Sequence, residues 1–310
     1  MEVIPSYSCL KHPLNNPVLT LGNFDGVHLG HQEILSRIRE RSREIKGTSL
    51  VYTFHPHPFE VLTQEKQFLN ITTLEEKLKL IEKEKIDILI CEPFTLEFSQ
   101  ISAEAFVKEI LCERIGVKEI FVGEDYTFGS KRQGNIHYLM KMGKALNFRV
   151  KIIDSIVVDN IIVKSSKIRE LIQLGEVSVA NRLLGRNYSL TGKVIKGKGR
   201  GVDLGFPTAN IKPAKALHPG VGVYAVWVNL ENQRLPGAMN VGYNPTFRDR
   251  ELSLEVHILD FNKSIYGKEL KISFVSRIRK EKAFSSPEEL IVQMQKDVSE
   301  VRKILRINNK

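Results

Sequence analysis

Ten residues near the start of the chain limit its fold more than any others. Gly22-Asn23-Phe24-Asp25-Gly26-Val27-His28-Leu29-Gly30-His31 stand between an apolar run, Val18 to Leu21, and a helical pattern. A strand, a glycine-rich turn and a helix start bring free backbone N–H groups and the positive end of a helix dipole to one point. That is an anion site. His28 and His31, three positions apart, fall on nearly the same side of a helical turn and both reach toward such an anion. Gly, Asn and Asp are also ordinary turn residues, so it is the strand before and the helix after that make this a nucleotide-handling site.

Strand-like runs recur at Val18 to Leu21, Ser49 to Phe54, Ile86 to Cys91, Lys118 to Val122 and Arg149 to Ile153, with helical periodicity between several of them. Alternating strands and helices predict an α/β module with a parallel sheet covered on both faces. Ile34, Ile38 and Ile45 mark a buried stripe on the first helix, and the charged stretch Glu75 to Lys85 reads as a solvated helix face. Two short helices, near Lys167 to Leu174 and Val177 to Leu184, close this module, with Gly175 as a helix stop. Beyond Gly185 the texture changes. Runs at Tyr188 to Ile195, Val223 to Leu230, Leu252 to Leu259 and Leu270 to Val275 are separated by turn residues alone, which predicts a small antiparallel β-barrel or sandwich. Pro287 then opens a helix whose stripe Leu290, Met294, Val298, Val301 and Leu305 packs on that barrel. The expected domains are 1–184 and 185–310.

A chain of 310 residues with 42% hydrophobic composition supports two cores. Cys9, Cys91 and Cys112 are widely spaced and suggest neither a disulfide framework nor a zinc cluster, only small buried or neutral thiols. Met1 to Pro5 has no leader character, and no apolar run reaches membrane-spanning length, so the expectation is a cytoplasmic protein without a membrane partner. The formal net charge of +10 suits a nucleic-acid binder or an enzyme whose substrates are polyanionic phosphates.

The turn GNFDGVHLGHQ resembles the H-x-G-H nucleotidyltransferase motif of the bacterial bifunctional riboflavin kinase/FAD synthetase family. Phe54 to Leu62, Val122 to Gly134, Lys164 to Tyr188, Gly205 to Ile211, Asn244 to Phe247, Leu254 to Phe261 and Tyr266 to Leu270 match in order, so the resemblance covers nearly the whole chain. It implies a Rossmann-like nucleotidyltransferase at 1–184 that adenylylates FMN to FAD. It also implies a barrel kinase at 185–310 that phosphorylates riboflavin to FMN, with ATP and Mg²⁺ in both steps. In the first module it assigns His28 and His31 to stabilising phosphate charge in an in-line transfer. Gly22, Asn23, Phe24, Asp25, Gly30 and Asp125 are then nucleotide contacts, with Tyr126, Phe128, Gly129 and Arg132 as a wall of the site. Ser165, Ser166 and Arg169 match an S-S-T-x-I-R-like phosphate segment, although Lys164 stands where the family often has Ser, and Ser166 where Thr is usual. His57, with His55 beside it, is assigned to the flavin nucleotide.

In the second module Gly192 to Gly199 nearly fits a P-loop, but Gly199 holds the Ser/Thr position and no helix pattern follows. The resemblance points instead to Gly205-Phe206-Pro207-Thr208-Ala209-Asn210. In an extended segment Thr208 and Asn210 point the same way and offer hard oxygens to Mg²⁺ and its phosphates. It makes the loop Gly197, Lys198, Gly199, Arg200 and Gly201 a flap over ATP, Glu255 the base for the riboflavin hydroxyl, and Arg277 and Arg279 flavin or ADP contacts. Two alternatives stay open: another small-molecule adenylyltransferase with a nonkinase barrel, and a basic nucleic-acid-binding protein. Thr208, Asn210 and Glu255 together speak against the first, and the lack of RNA-binding aromatic motifs speaks against the second. The expected partners are therefore ATP, riboflavin and FMN without nucleic acid, and a homo-oligomer remains open.

Overall fold

The computed structural model describes residues 1–12, 14–63, 68–197, 201, 204–245 and 250–307. They form two compact units, Met1–Lys164 and Ser165–Lys310.

The first unit is built on a six-stranded sheet in the order Glu2–Ile4, Ile88–Pro93, Ser49–His55, Val18–Leu21, Glu119–Gly123, Arg149–Ile153. Every pairing in it is parallel. The five strands expected from the apolar runs are all present. The edge strand Glu2–Ile4 was not anticipated, because three residues are too few to show a period. Strands buried on both faces read as continuous apolar runs, and here their alternate residues divide between two cores. Leu19, Leu21, Leu50 and Tyr52 enter one, and Val18, Val51, Leu89 and Phe121 the other. From Val18–Leu21 the chain first builds outward through Ser49–His55 to Ile88–Pro93. It then returns to add Glu119–Gly123 on the other side. Strand order thus reverses at Val18–Leu21, and open α/β sheets place ligands beyond the carboxyl ends of the strands at that point.

Two helix readings need correction. In the helix Leu29–Glu44 the fully buried residues are Leu35, Ile38 and Ser42, while Ile34 and Ile45 pack at the margin. The helix turns its face about one residue away from the expected stripe. In Leu74–Lys83 the charged run is not wholly solvated, since Lys77 is buried beside Ile81.

The second unit is a closed six-stranded barrel in the order Ser189–Ile195, Ala209–Pro213, Arg250–Ile258, Gln233–Pro245, Gly222–Leu230, Glu269–Arg279. All its pairings are antiparallel. Two strands lie outside the expected runs: Ala209–Pro213, legible in the sequence only as an extended segment, and Gln233–Pro245, whose pattern Pro236 and Gly237 interrupt. Ser286 caps the final helix Pro287–Leu305 by accepting from the Glu289 N–H, and Pro287 occupies the first turn. Val301 and Leu305 pack with Ala225 and Leu259 of the barrel side, as the amphipathic pattern required.

By packing the chain divides after Lys164, while the boundary after Leu184 is kept as the proposed limit between the two catalytic modules. The helices Ser165–Gln173 and Val177–Leu184 are held by the barrel. Asn181 donates to the Phe274 carbonyl at 2.8 Å and accepts from the Tyr188 N–H at 2.7 Å. Gly175, at φ +79°, lies so close to Arg277 and Tyr224 that a Cβ there would overlap both side chains. It ends the first of these helices and also lets the barrel close on it. The three cysteines are free, with Cys9 exposed and not buried, and burial pushes the Cys91 and Cys112 thiols up. Among the described residues no helix is long and apolar enough to cross a membrane.

Candidate active sites in the two units

In the first unit the turn after Val18–Leu21 has an uncommon backbone. Phe24, Gly26 and Val27 have φ of +50°, +83° and +37°. A left-handed conformation is ordinary for glycine and strained for a β-branched valine. The turn keeps it through short local bonds. The Val27 N–H donates to the Phe24 carbonyl at 3.2 Å, and Gln32 Nε2 donates to the Val27 carbonyl at 2.8 Å. Gly22 leaves room for the Phe24 ring, 3.2 Å from where a Cβ would stand, and that ring is buried in the core.

The bend ends at His28, the N-cap of Leu29–Glu44. His28 Nδ1 accepts from the His31 N–H at 3.3 Å, so in the neutral ring the proton sits on Nε2 and that nitrogen is the donor. The His28 and His31 rings stack at 3.6 Å and 14°. Gly30 permits this, because a Cβ there would stand 3.3 Å from His28 Nδ1 and Cε1. The H-x-G-H spacing therefore has a steric reason: one histidine caps the helix, the glycine clears space for its ring, and the other histidine stacks on it.

Asp25 has a different environment from the one expected of a nucleotide contact. It is buried, and its carboxylate accepts from the N–H groups of Ile71 (2.9 and 3.1 Å) and Thr72 (3.1 Å) and from the Thr72 hydroxyl. Thr72 Oγ1 in turn accepts from the Gly26 N–H at 3.1 Å. Asp25 is the clamp that holds the bend to the segment before the helix Leu74–Lys83. The Asn23 carbonyl accepts from Thr53 Oγ1 at 3.2 Å and from the Lys77 ammonium at 3.3 Å. Neither Lys77 nor Thr72 was singled out from the sequence; Lys77 was hidden in a charge run, and Thr72 in an unpatterned turn.

Other expected residues are dispersed. Asp125 lies just beyond the end of Glu119–Gly123, exposed, with its carboxylate 3.0 Å from Lys164 Nζ. Phe128 stacks with Tyr126 but is buried in the core and so is not an open wall. Gly129, at φ +71°, backs onto Ala103, and Arg132 has φ +57°. His57 Nδ1 accepts from the Phe59 N–H at 3.2 Å, and its ring stacks on Phe68 at 4.2 Å. Burial and the Lys77 charge hold His55 below the ordinary imidazole range. Ser165, Ser166 and Arg169 lie in the first helix of the second unit, Ser165–Gln173.

In the second unit strand register assembles the site. Glu255 pairs with Asn210 on one neighbouring strand and with Asn240 on the other. Its carboxylate accepts from Ser253 Oγ at 2.8 Å and lies 3.4 Å from Thr208 Oγ1. Thr208, Asn210 and Glu255 are thus brought together, and Asn240 joins them without any local signal in the sequence. A Cβ on Gly197 would overlap the Asn210 amide, which explains that glycine. Lys198, Gly199 and Arg200 of the expected flap lie outside the described residues, as do Thr246 and Phe247. Gly192 sits within Ser189–Ile195, as the rejection of the P-loop required.

Thr208, Asn240 and Glu255 line a cavity of about 320 Å³, together with His257, Arg279 and residues of the final helix. Arg279 faces it while paired with Asp297 of that helix at 2.8 to 3.1 Å. Arg277 is engaged elsewhere, donating to the Leu174 carbonyl and to Glu176, both at 2.8 Å, and it is not among the residues lining the cavity. The Thr208 and Asn210 side chains offer a set of hard oxygens, with the Glu255 carboxylate beside them. Among the described residues no three His, Cys, Asp or Glu side chains form a metal cage. Such a set fits Mg²⁺, which takes one or two carboxylates and completes its shell with water and substrate phosphate.

Residues 10–167 match the family model described as FAD synthetase, and residues 184–305 match that described as riboflavin kinase. Proteins named bifunctional riboflavin kinase/FMN adenylyltransferase are similar along nearly the whole chain. That of Buchnera aphidicola subsp. Schizaphis graminum is 37% identical over 99% of this chain and 100% of its own. That of Listeria monocytogenes is 39% identical over 94% and 96%, and that of Escherichia coli K12 is 33% identical over 92% and 91%. A crystal structure described as a macrolide-efflux protein from Streptococcus pneumoniae superposes with a TM-score of 0.88 at 29% identity, covering 97% of this chain and 99% of that one.

Proposed function

The chain belongs to the family of bifunctional riboflavin kinases/FMN adenylyltransferases, and on that premise we propose that its two units carry out successive steps of flavin cofactor synthesis. The second unit phosphorylates riboflavin to FMN with ATP. The first adenylylates FMN to FAD with a second ATP and releases pyrophosphate. The observation that carries the reading is the stacked pair of His28 and His31 at the point where strand order reverses.

In adenylyl transfer a phosphate oxygen of FMN attacks the α-phosphorus of ATP, the new P–O bond forms, and the bond to the β-phosphate oxygen breaks with its electron pair on pyrophosphate. Little covalent work is left for the protein, so positioning and charge stabilisation supply the rate. His28 offers its Nε2–H, His31 stacks beside it, and the helix behind them adds its N-terminal dipole. Asn23, Gly22 and Gly30 shape the turn, and Asp25 holds it. Asp125 and His57 contact the adenosine and the flavin.

In the kinase step the primary hydroxyl of riboflavin attacks the γ-phosphorus, and ADP leaves. Glu255 accepts the hydroxyl proton, with Ser253 and Thr208 orienting its carboxylate. Mg²⁺ held by Thr208 and Asn210 would neutralise phosphate charge. The apolar side of the cavity, with Met294 and Val298, receives the flavin ring beside Arg279. The net charge of +10 then serves phosphorylated small substrates and not nucleic acid. A reliance on ATP and free flavins supports a cytoplasmic setting for that work.

The direct test incubates the full chain with riboflavin, ATP and Mg²⁺ and separates the three flavins over time. FMN should rise first and FAD follow. FMN accumulating without FAD would remove the first unit from the reading, and riboflavin left unchanged would remove the second.

A further inference from the structure

Lys77 is the most unusual buried group that the chemistry above does not use. It is 7% exposed, and its Nζ donates to the Phe54 carbonyl at 2.9 Å, Thr53 Oγ1 at 3.2 Å and the Asn23 carbonyl at 3.3 Å. All three are neutral oxygens. An ammonium buried without a carboxylate at hydrogen-bond distance is costly, so its place calls for a reason.

The reason lies in what those oxygens belong to. Thr53 and Phe54 end the strand Ser49–His55, next to Val18–Leu21 in the sheet. Asn23 is in the bend that follows Val18–Leu21, one residue before the left-handed Phe24. Lys77 itself stands one turn into Leu74–Lys83, whose first turn is fixed by a capping box between Thr73 and Glu76. Just before that cap, Ile71 and Thr72 hold the Asp25 carboxylate. One rigid segment, 71–77, therefore grips the strained bend at two points, through Asp25 on one side and through the Asn23 carbonyl on the other.

We propose that Lys77 is a positioning residue of the adenylyl-transfer site, its ammonium tying the Asn23 carbonyl to the end of Ser49–His55 so that the bend delivers His28 and His31 stacked at the helix N-terminus. The proposal rests on the reading of the first unit as an adenylyltransferase. A neutral side chain cannot substitute, since three convergent oxygens need three donors and only –NH₃⁺ supplies them from one atom. Burial pushes the Lys77 ammonium below its ordinary range, while Cys91 and Asp25 oppose that shift. His55 also feels the Lys77 charge.

The test is made on the full chain with Lys77→Met, which keeps the stem and removes the donors. An error of about 1 Å at a reacting centre costs on the order of 10²-fold. FAD formation from FMN should fall by about that factor, while riboflavin phosphorylation by the same sample stays within about twofold of the parent and reports a folded second unit. Histidine side-chain NMR supplies the readout that a purely structural role would leave still. The His28 and His31 ring signals should move, and those of His218 and His257 should not. Parental FAD formation would overturn the proposal. So would lost FAD formation with the His28 and His31 signals unmoved, because Lys77 would then act without placing them. Should Lys77→Met fail to fold, Thr53→Val removes one acceptor and leaves the ammonium. It should lower FAD turnover several-fold and shift the same two signals, and an unchanged turnover or unchanged signals would equally overturn the proposal. A parent protein that makes no FAD at all would instead sink the adenylyltransferase reading, with the NMR comparison still deciding whether Lys77 sets the bend.

Discussion

The two units solve the same problem, holding a triphosphate against a nucleophile, with opposite structural means. In the first, the functional groups stand on a bend beyond an open parallel sheet, and their geometry depends on a strained backbone gripped from outside by Asp25 and Lys77. In the second, Glu255, Asn210 and Asn240 stand on three adjacent strands of a closed barrel, and their geometry is the hydrogen-bond register itself. A loop-borne site can be disturbed by residues that never touch substrate. A register-borne site resists such disturbance, because shifting one strand would require opening the whole cylinder.

The largest effect expected from a single change lies in the register-borne site. Glu255→Gln keeps the size and the Ser253 contact but removes the proton acceptor, so riboflavin phosphorylation should fall by about 10²- to 10⁴-fold. FAD formation from supplied FMN should stay near parental, and chromatographic separation of the flavins checks both in one sample. Loss of both activities would mean that the two units do not act independently. Next comes His28→Ala, with an expected loss of about 10²- to 10³-fold in FAD formation and little change in FMN formation. Parental FAD synthesis in that variant would take the stacked pair out of the mechanism.

Truncation tests how far the second unit stands on its own. A fragment beginning at Ser165 keeps the helix Val177–Leu184, whose Val177, Ala180, Leu183 and Leu184 are buried. One beginning at Gly185 loses it, together with both Asn181 contacts. The shorter fragment should be less stable by at least about 3 kcal/mol, the burial of two large apolar side chains, as read from urea unfolding. Equal stability would restore the boundary to Leu184.

The smallest effect is in acid. The Arg41 guanidinium, bonded at 2.8 and 2.9 Å, holds the buried Glu119 carboxyl below its ordinary 4.5. A depressed folded value means that the contribution is complete above about pH 4.5 and is lost below it, as pH falls through the lowered folded value. Glu119→Gln should therefore lower the melting temperature of the first unit at pH 7 and make it less sensitive to acid below pH 4.5. The second unit should melt as before. An unchanged acid slope would assign the pair no share in stability.

Much of this was legible in the sequence, and the failures have physical causes. H-x-G-H was readable because cap, clearance and stacking all act within four residues. The strands Val18–Leu21 and Ser49–His55 were readable because burial on both faces leaves a nearly continuous apolar and β-branched run, interrupted within it only by small buried hydroxyls such as Thr20 and Thr53. Lys77 was not, since a buried lysine and a solvated one look alike in a run of alternating charge. Arg277 was readable as a basic residue after a strand, yet its partners, the Leu174 carbonyl and Glu176, are about a hundred residues away in sequence. Asn240 lay in a strand masked by Pro236 and Gly237, so its place beside Glu255 had no local signal.

The barrel has no free strand edge, but the parallel sheet has two, Glu2–Ile4 and Arg149–Ile153. An uncovered edge is a template on which a strand from another molecule can pair and begin a growing aggregate. The first edge is only three residues long, which gives a visiting strand little to hold. In the second, Arg149 and Lys151 are exposed, and charged side chains on an edge strand discourage another strand from pairing there. Removing those two cations would leave Ile152, already 43% exposed, on an unguarded edge. The sheet unit, not the barrel, is thus the half whose strand edges need guarding against pairing with another molecule.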